Sequence, residues 1–336
     1  MLEQRIREII TKNNFSGTIL LSHKGNDVIA IACGEADRSN NRLNQLDTKY
    51  GIASGTKGFT ATGIMKLIDD GKLSLETTIN EIIDAFKNYP HEVTVQHLLT
   101  HTSGIPDYFD EEVMESEDFE KLWITYPVNT LESPLDFFPM FIERPVDFKP
   151  GERFKYNNAG YIVLARVIEV VSGKSFIDYM TSEIIQPLGL EGTGFYYQNN
   201  LPGNSSYGYL EDGSTNIFSI PFVGGGDGGI YTTVYDMKKY WQELVQGEFL
   251  SKELKALAFS PVVEEEGPNY YYGLGHYVLL EKGELSKLTL VGGDPGVAFY
   301  SYSDVKKDLI LTMIGNDENT LWEIRKSIVD LVEGYF

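Results

Sequence analysis

Apolar and polar positions predict β-strands at both ends of the chain. Near the start, two apolar runs at 17–22 and 27–32 flank a polar turn, which indicates a hairpin. Toward the end, charged turns separate short apolar runs at 271–280, 288–291, 297–302 and 309–314, and a closing helix is predicted at 320–332. We therefore expect one mainly antiparallel sheet that receives strands from both ends of the chain.

Between these ends the apolar spacing is helical. Periodic runs cover 54–70, 161–171, 176–185 and 235–245. The stretch 110–148 has no clean period, so we interpret it as short helices and loops. The prediction is an α+β fold in one unit, 1–336. Its sheet lobe comprises about 1–75 plus 262–336, and a mostly helical lobe, about 76–261, is inserted between them.

Composition and charge limit the possible functions. The 336 residues are 42% hydrophobic and 23% charged, which is ordinary for a globular protein. The 49 acidic and 28 basic residues give a formal net charge of −21, which disfavours nucleic-acid and anionic membrane partners. Residues 1–13 are amphipathic rather than a signal peptide, and no apolar run is long enough to span a membrane. A small-molecule substrate and a cytoplasmic location are expected, and the oligomeric state is left open.

A serine and a lysine three residues apart stand where the first long helix begins. Ser54 and Lys57 would share one helix face with Cβ atoms about 5–6 Å apart, so the lysine amine can reach the hydroxyl. The helix N-terminus adds unpaired N–H groups and partial positive charge, which favour an oxyanion. Because a serine needs a neighbouring base to become a nucleophile, this pair is the candidate catalytic centre. Ser303 and Lys306 have the same spacing but lie between two predicted strands, which indicates turn residues.

A third group should return the proton to the leaving group. Tyr156 and Asn158 directly precede the helix at 161–171. A phenol beside an ammonium can lose its proton more easily than in water, and the Asn158 amide can bind substrate or Lys57. Tyr197 has an asparagine at the same spacing, but its polar surroundings indicate an exposed loop, so Tyr156 is favoured.

Three other patterns receive simpler interpretations. The glycine-rich run 224–229 lacks the Gly-Lys-Ser/Thr ending of a phosphate loop and is predicted to be a tight loop near a cleft. His97 and His101 have zinc-site spacing, but Leu98 replaces the usual glutamate, so capping or packing is expected. The single cysteine, Cys33, is interpreted as a buried strand thiol. No metal and no cofactor are predicted.

Several ordered motifs together resemble the class C serine β-lactamases and the penicillin-binding proteins, D-Ala peptidases and esterases of the same fold. They are ASGTKGFTA at 53–61, DGKLSL at 70–75, HLLTHTSG at 97–104, PGERFKYNNAGY at 150–161, PLGL at 187–190 and GGIYTT at 228–233. The resemblance covers nearly the whole chain and implies a β-lactamase/transpeptidase-like fold.

The resemblance also implies acyl transfer through a covalent ester on Ser54. Lys57 and Tyr156 would activate the serine and return its proton, while Asn158 would orient the substrate or the lysine. The Ser54 N–H would be half of an oxyanion hole, in which each donor contributes about 2.7–4 kcal/mol.

The third family motif is where the chain departs from the pattern. The family has Lys-Thr-Gly or His-Thr-Gly on a strand beside the site, whereas this chain has Leu290 and Val291 in place of the cation and the hydroxyl. Gly293 can still present its N–H as the second oxyanion donor, or Asp294 does so if the alignment shifts by one residue. A cation that binds a substrate carboxylate contributes roughly 1.5–3 kcal/mol. Its loss predicts an apolar cleft edge and an esterase or amidase for small uncharged acyl groups.

Two alternatives stay open. A D-Ala-type carboxypeptidase or a weak β-lactamase would use the same acyl chemistry on other substrates. A catalytically silent binding module would keep only the fold. The intact set of Ser54, Lys57, Tyr156 and Asn158 favours a hydrolase.

Overall fold

One antiparallel sheet joins the two ends of the chain. The computed structural model describes residues 1–114, 116–265 and 267–336. Among these residues the strands are β1 (Gly17–His23), β2 (Asn26–Cys33), β3 (Glu35–Asp37), β4 (Arg42–Leu43), β5 (Tyr50–Gly51), β6 (Gly194–Phe195), β7 (Ile230–Thr232), β8 (Val263–Glu264), β9 (Tyr270–Tyr272), β10 (Tyr277–Glu281), β11 (Glu284–Asp294), β12 (Val297–Asp304) and β13 (Leu309–Gly315). Eight of them form the main sheet in the order β2-β1-β13-β12-β11-β10-β9-β8.

Helices cover both faces of this sheet. Within the described ranges the α-helices are α1 (Leu2–Lys12), α2 (Thr56–Asp69), α3 (Ile79–Ile82), α4 (Val95–Leu99), α5 (Ser116–Thr125), α6 (Pro134–Phe137), α7 (Asn158–Ser172), α8 (Phe176–Tyr179), α9 (Val234–Val245), α10 (Lys252–Ala258) and α11 (Thr320–Glu333). Short 3-10 turns occur at Ala53–Gly55, Asp84–Phe86, Val128–Thr130, Phe138–Met140 and Asn216–Phe218, and a π-helical segment at Met180–Ile185. The predicted α+β architecture, with its sheet built from both ends of the chain, is confirmed.

The first and last strands of the sheet are direct neighbours. β1 pairs antiparallel with β13, so that Gly17 lies opposite Gly315. Along β1, Ile19 and Leu21 point into a core with α1 and α11, whereas Leu20 points to the opposite core with α2 and α7. Because both faces of the strand are buried, its sequence is a continuous apolar run rather than an alternating one.

Two predicted elements differ in the structure. The predicted strand 271–280 is divided into β9 and β10 by a turn in which Gly275 has a left-handed φ of +89° and the Gly273 N–H donates to His276 O. Strand β12 is longer than predicted, so Ser303 is a buried strand residue and not a solvated turn residue. In both cases the apolar pattern alone did not show where the chain turns.

The helical part places α2 against α7. α7 begins after the Asn157 N-cap, whose side chain accepts the Gly160 N–H, and ends at Gly173 in the left-handed conformation that glycine tolerates. The strands of the main sheet fall within the predicted sheet lobe, and the division into two lobes stays a prediction. None of the helices in the described ranges combines the length and apolar character of a bilayer-spanning segment.

Candidate active site

Ser54 lies in a tight turn at the entrance to α2. The structure places it in the 3-10 turn Ala53–Gly55, just before the helix and not within its first turn. Ala53 has φ of +46°, a left-handed conformation that is costly for a residue with a Cβ atom. A Cβ at Gly292 would overlap Ile52 O and lie 3.0 Å from Ser54 N, so glycine is what allows β11 to approach this turn.

Lys57 contacts the serine from inside the protein. Its side chain is buried, and its Nζ lies 2.8 Å from Ser54 Oγ, 2.7 Å from Asn158 Oδ1 and 3.0 Å from the Asp227 carbonyl oxygen. These three acceptors match the three hydrogens of an ammonium group. Burial lowers the pKa of the lysine below its ordinary value, and the Asp227 carboxylate opposes this shift. Such an amine is easier to deprotonate than a solvated one.

Tyr156 lies beside Ser54, and its ring centroid lies 4.9 Å from Lys57 Nζ. Burial raises its pKa well above the ordinary value, the Glu111 carboxylate adds to this, and the nearby Ser54 hydroxyl opposes it. The expectation that the phenol loses its proton easily is therefore wrong. Tyr156 is protonated in the resting site, because burial and the neighbouring carboxylates favour the neutral phenol.

Asn158 is the first residue of α7 and contacts the lysine directly. Asp107 accepts hydrogen bonds from Asn158 N at 2.7 Å and from Ala159 N at 2.9 Å, which fixes the start of the helix. The Asn158 side chain accepts from Lys57 and donates to Glu111 Oε1 at 3.2 Å. Of its two predicted uses, orienting Lys57 is the one that these contacts support.

The edge of β11 does not have the expected apolar character. Leu290 is only 3% exposed and packs against Gly58 of α2, and neither it nor Val291 lines the cleft. Gly293 and Asp294 line it instead. Burial is the main cause that raises the pKa of Asp294 to about 7, and repulsion from Asp227 is the second. The prediction that this edge is apolar is wrong, because the strand directs Leu290 into the core.

The cleft above Ser54 has a volume of about 1070 Å³ and is acidic. Its described charged lining consists of Glu111, Glu211, Asp212, Asp227, Asp294 and Glu318. No lysine or arginine occurs among the described lining residues. Large apolar side chains form a second part of the wall: Phe109, Met114, Phe119, Trp123, Ile124, Phe218, Ile220 and Trp322. This surface repels a carboxylate and accommodates an apolar group.

The competing candidates lie away from this chemistry. Tyr197 is 45% exposed on a loop. His97 forms a capping box with Thr94 at the start of α4, as expected of a capping residue. Cys33 is partly buried, and burial raises the pKa of its thiol to about 11, which argues against a nucleophile. In the described part of the chain, His, Cys, Asp and Glu side chains form no group of three or more that could hold a metal ion.

Comparison with known proteins gives the family. The Beta-lactamase family model matches residues 2–324. The chain belongs to this family. Its members are serine hydrolases, and this protein is therefore an enzyme of that type.

Relatives in the Beta-lactamase family include penicillin-binding proteins. The chain is 30% identical over 333 residues to penicillin-binding protein 4* of Bacillus subtilis, which covers 93% of this chain and 70% of that protein. It is 28% identical over 280 residues to putative penicillin-binding protein PbpX of the same organism, covering 82% of this chain and 65% of that one. The crystal structure of a penicillin-binding protein from Bacillus halodurans is 38% identical, covers 98% of this chain and all of that one, and superposes with a TM-score of 0.92. The predicted family and fold are confirmed.

Four residues around the Beta-lactamase-family site were not predicted from the sequence: His101, Asp107, Tyr108 and Asp227. Tyr108 donates a hydrogen bond to the Asp227 carboxylate behind Lys57. Asp107 and Tyr108 follow the HTSG motif closely, and Asp227 lies within the predicted glycine-rich loop. The loop was correctly predicted to lie near a cleft, but no local spacing indicates which of its residues contacts Lys57.

Proposed function

We propose that the protein forms an acyl-enzyme on Ser54 and hydrolyses small esters or amides whose acyl group carries no carboxylate. The observation that carries the proposal is the 2.8 Å contact between Lys57 Nζ and Ser54 Oγ in a buried polar network. A neutral Lys57 accepts the hydroxyl proton as the serine attacks the substrate carbonyl. The Ser54 and Gly293 N–H groups stabilise the resulting oxyanion.

Tyr156 completes the proton path in this mechanism. As a protonated phenol beside Ser54, it donates its proton to the leaving group and recovers one from Lys57. Water then attacks the ester on Ser54, with the same groups acting in reverse order. Asn158 keeps the lysine amine directed at the serine during both steps.

The substrate preference rests on the charge of the cleft. Its described lining contains six carboxylate side chains and no basic one, so a substrate carboxylate meets repulsion without a compensating ion pair. Repulsion of this kind lowers kcat/KM for a carboxylate-bearing ester relative to a neutral ester of the same length.

The nucleophile is tested by intact-mass analysis after treatment with a fluorophosphonate. We expect one adduct on the wild type, none on Ser54→Ala, and one on Ser303→Ala. Ser303 is the control because it also stands three residues before a lysine. Labelling that persists in Ser54→Ala contradicts the proposal. The charge preference is tested with 4-nitrophenyl butyrate and mono-4-nitrophenyl succinate, for which we expect at least about a tenfold difference in kcat/KM, equivalent to about 1.4 kcal/mol.

A second candidate function is a D-Ala-type carboxypeptidase or weak β-lactamase. The 38% identity to a penicillin-binding protein over almost the whole chain favours it. Benzylpenicillin carries a carboxylate and distinguishes the two functions. Under the first proposal its acylation of Ser54 is much slower than acylation by the neutral ester. Comparable rates favour the second.

A further inference from the structure

His101 accepts hydrogen bonds from the backbone N–H groups on both sides of Tyr156. The Lys155 N–H donates to His101 O at 2.9 Å, and the Asn157 N–H donates to His101 Nδ1 at 3.1 Å. The residue between these two donors is Tyr156. The backbone carbonyl and the side chain of His101 therefore hold the peptide units before and after the tyrosine. Neither contact belongs to a regular helix or strand.

The ring of His101 also packs on the phenol. Its centroid lies 4.4 Å from the Tyr156 ring centroid with an interplanar angle of 33°. On its other sides it contacts the rings of Tyr272 at 4.7 Å and Tyr161 at 5.1 Å. His101 is 1% exposed, so this aromatic cluster excludes water from the inner face of the phenol.

The backbone conformation and the unpaired ring nitrogen of His101 are both energetically unfavourable, which is typical of residues at functional sites. His101 has φ of +56°, a conformation that residues with a Cβ atom rarely adopt. Because Nδ1 accepts the Asn157 N–H, a neutral ring carries its hydrogen on Nε2, which is buried and has no hydrogen-bond partner among the residues that the structure describes. Unpaired buried donors and left-handed residues are uncommon and concentrate at functional sites.

We propose that His101 is a positioning residue for Tyr156, which fixes the phenol against Ser54 during acyl transfer. This inference rests on the proposed function of Ser54, Lys57 and Tyr156. His101 exchanges no proton in this role. Burial and the nearby Lys57 charge hold its pKa well below the ordinary value, so Nδ1 stays available as an acceptor.

Two substitutions separate the acceptor from the ring. Asparagine tolerates a left-handed φ, and its amide oxygen can replace Nδ1, so His101→Asn keeps the backbone contact and loses the ring. Glycine also tolerates this φ, so His101→Gly loses both without backbone strain. His97→Asn is the matched control, since His97 Nδ1 also accepts a backbone N–H, from Thr94 at 3.2 Å, in a capping box that does not include Tyr156.

The measurement is the burst-phase acylation rate constant with 4-nitrophenyl butyrate. This constant belongs to each folded molecule and does not depend on the folded fraction, so loss of stability does not imitate loss of positioning. We expect it to fall about tenfold in His101→Asn and about 100-fold or more in His101→Gly, as small misplacements of catalytic groups do. KM changes less than about twofold, and His97→Asn acylates like the wild type.

The opposite results overturn the inference. These are wild-type acylation by His101→Gly, or a raised KM with an unchanged acylation constant in either variant. If His101→Gly does not fold, His101→Asn decides alone, and a wild-type constant there overturns the inference. Ester hydrolysis that persists unchanged in Ser54→Ala instead refutes the proposed function, which keeps the two failures distinct.

Discussion

One buried amine lies among several carboxylates at this site. Lys57 is surrounded by Asp227, Glu111, Asp107 and Asp294, all of which raise its pKa against the effect of burial. Burial in turn raises the pKa values of Asp107 and Asp294 to about 7. The Asp107 and Asp294 carboxyls therefore lose and gain protons near neutral pH, and this is the range that acid–base catalysis requires.

Asp294 gives a stability prediction with a definite sign. Its pKa is about 7 in the folded protein, against about 3.9 in an unfolded chain. Between these values the folded state keeps a proton that the unfolded chain has released, so the free energy of unfolding falls as pH rises. Asp294→Asn should therefore raise Tm at pH 8 by about 2–4 °C for each kcal/mol relieved.

At pH 4 the same substitution should leave Tm nearly unchanged, because the carboxyl is then protonated when folded. Thermal unfolding followed by circular dichroism at both pH values checks this. Glu248→Gln, which removes the same charge from an exposed position, is the control. An equal gain at pH 4 and pH 8 would falsify the argument.

Sequence spacing predicted the local contacts of the site better than the long-range ones. Ser54 and Lys57 are three residues apart, and the 3-10 turn that leads directly into α2 keeps residues at this spacing on one face. Asp227 reaches Lys57 from 170 residues away, and nothing in local spacing encodes that contact. The rise in the pKa of Tyr156 was also not predicted, because it depends on burial that only the folded chain creates.

At the scale of elements, periodicity located most helices and strands, but not their interruptions. The predicted helix 176–185 is a single turn of α8 followed by a π-helical segment, and both share one apolar pattern. The predicted sheet was correct because runs such as β13 are mostly apolar, and every residue of β13 is buried. A turn that depends on a single glycine, such as Gly275 between β9 and β10, leaves the apolar pattern of the sequence nearly unchanged.

The contact between α2 and β11 depends on the pair Gly58 and Leu290. A Cβ at Gly58 would lie 2.7 Å from Leu290 Cδ2, which is closer than packed carbon atoms approach. Gly58→Ala should therefore cost about 1–3 kcal/mol by overpacking, less about 1 kcal/mol gained in helix propensity. The Gly58→Ala/Leu290→Val double variant should relieve the overpacking.

Denaturant unfolding of the four proteins in this cycle measures the coupling. We expect the double variant to be about 0.5–3 kcal/mol more stable than the sum of the single effects. Leu288→Val removes the same group from the same strand without contacting Gly58, and its cycle should show no coupling. Equal coupling in both cycles would mean that the two positions do not interact.

At the scale of the whole molecule, charge should influence how substrates reach the site. The net charge of −21 and the acidic cleft act in the same direction on a charged substrate. Raising ionic strength from 0.01 to 0.15 M shortens the Debye length from about 30 to about 8 Å. We expect kcat/KM to rise several-fold for mono-4-nitrophenyl succinate and to fall for a trimethylammonium butyrate ester.

The neutral butyrate ester provides the control for this salt series, and its kcat/KM should stay constant. A parallel change in all three esters would point to an effect of salt on the enzyme itself. Steady-state kinetics at four or five salt concentrations are sufficient to separate these outcomes.

The pairing of β1 with β13 has a consequence for synthesis on the ribosome. Gly17 must wait for Gly315, about 300 residues later, before the two strands meet. At 5–20 residues per second this interval is about 15–60 s. Ser54 and Lys57 are translated well before β11, which supplies Gly292 and Gly293 beside them. The nascent chain therefore carries Ser54 and Lys57 for some time without the strand that lies beside them, and under the proposed function it cannot form an acyl-enzyme before β11 is in place.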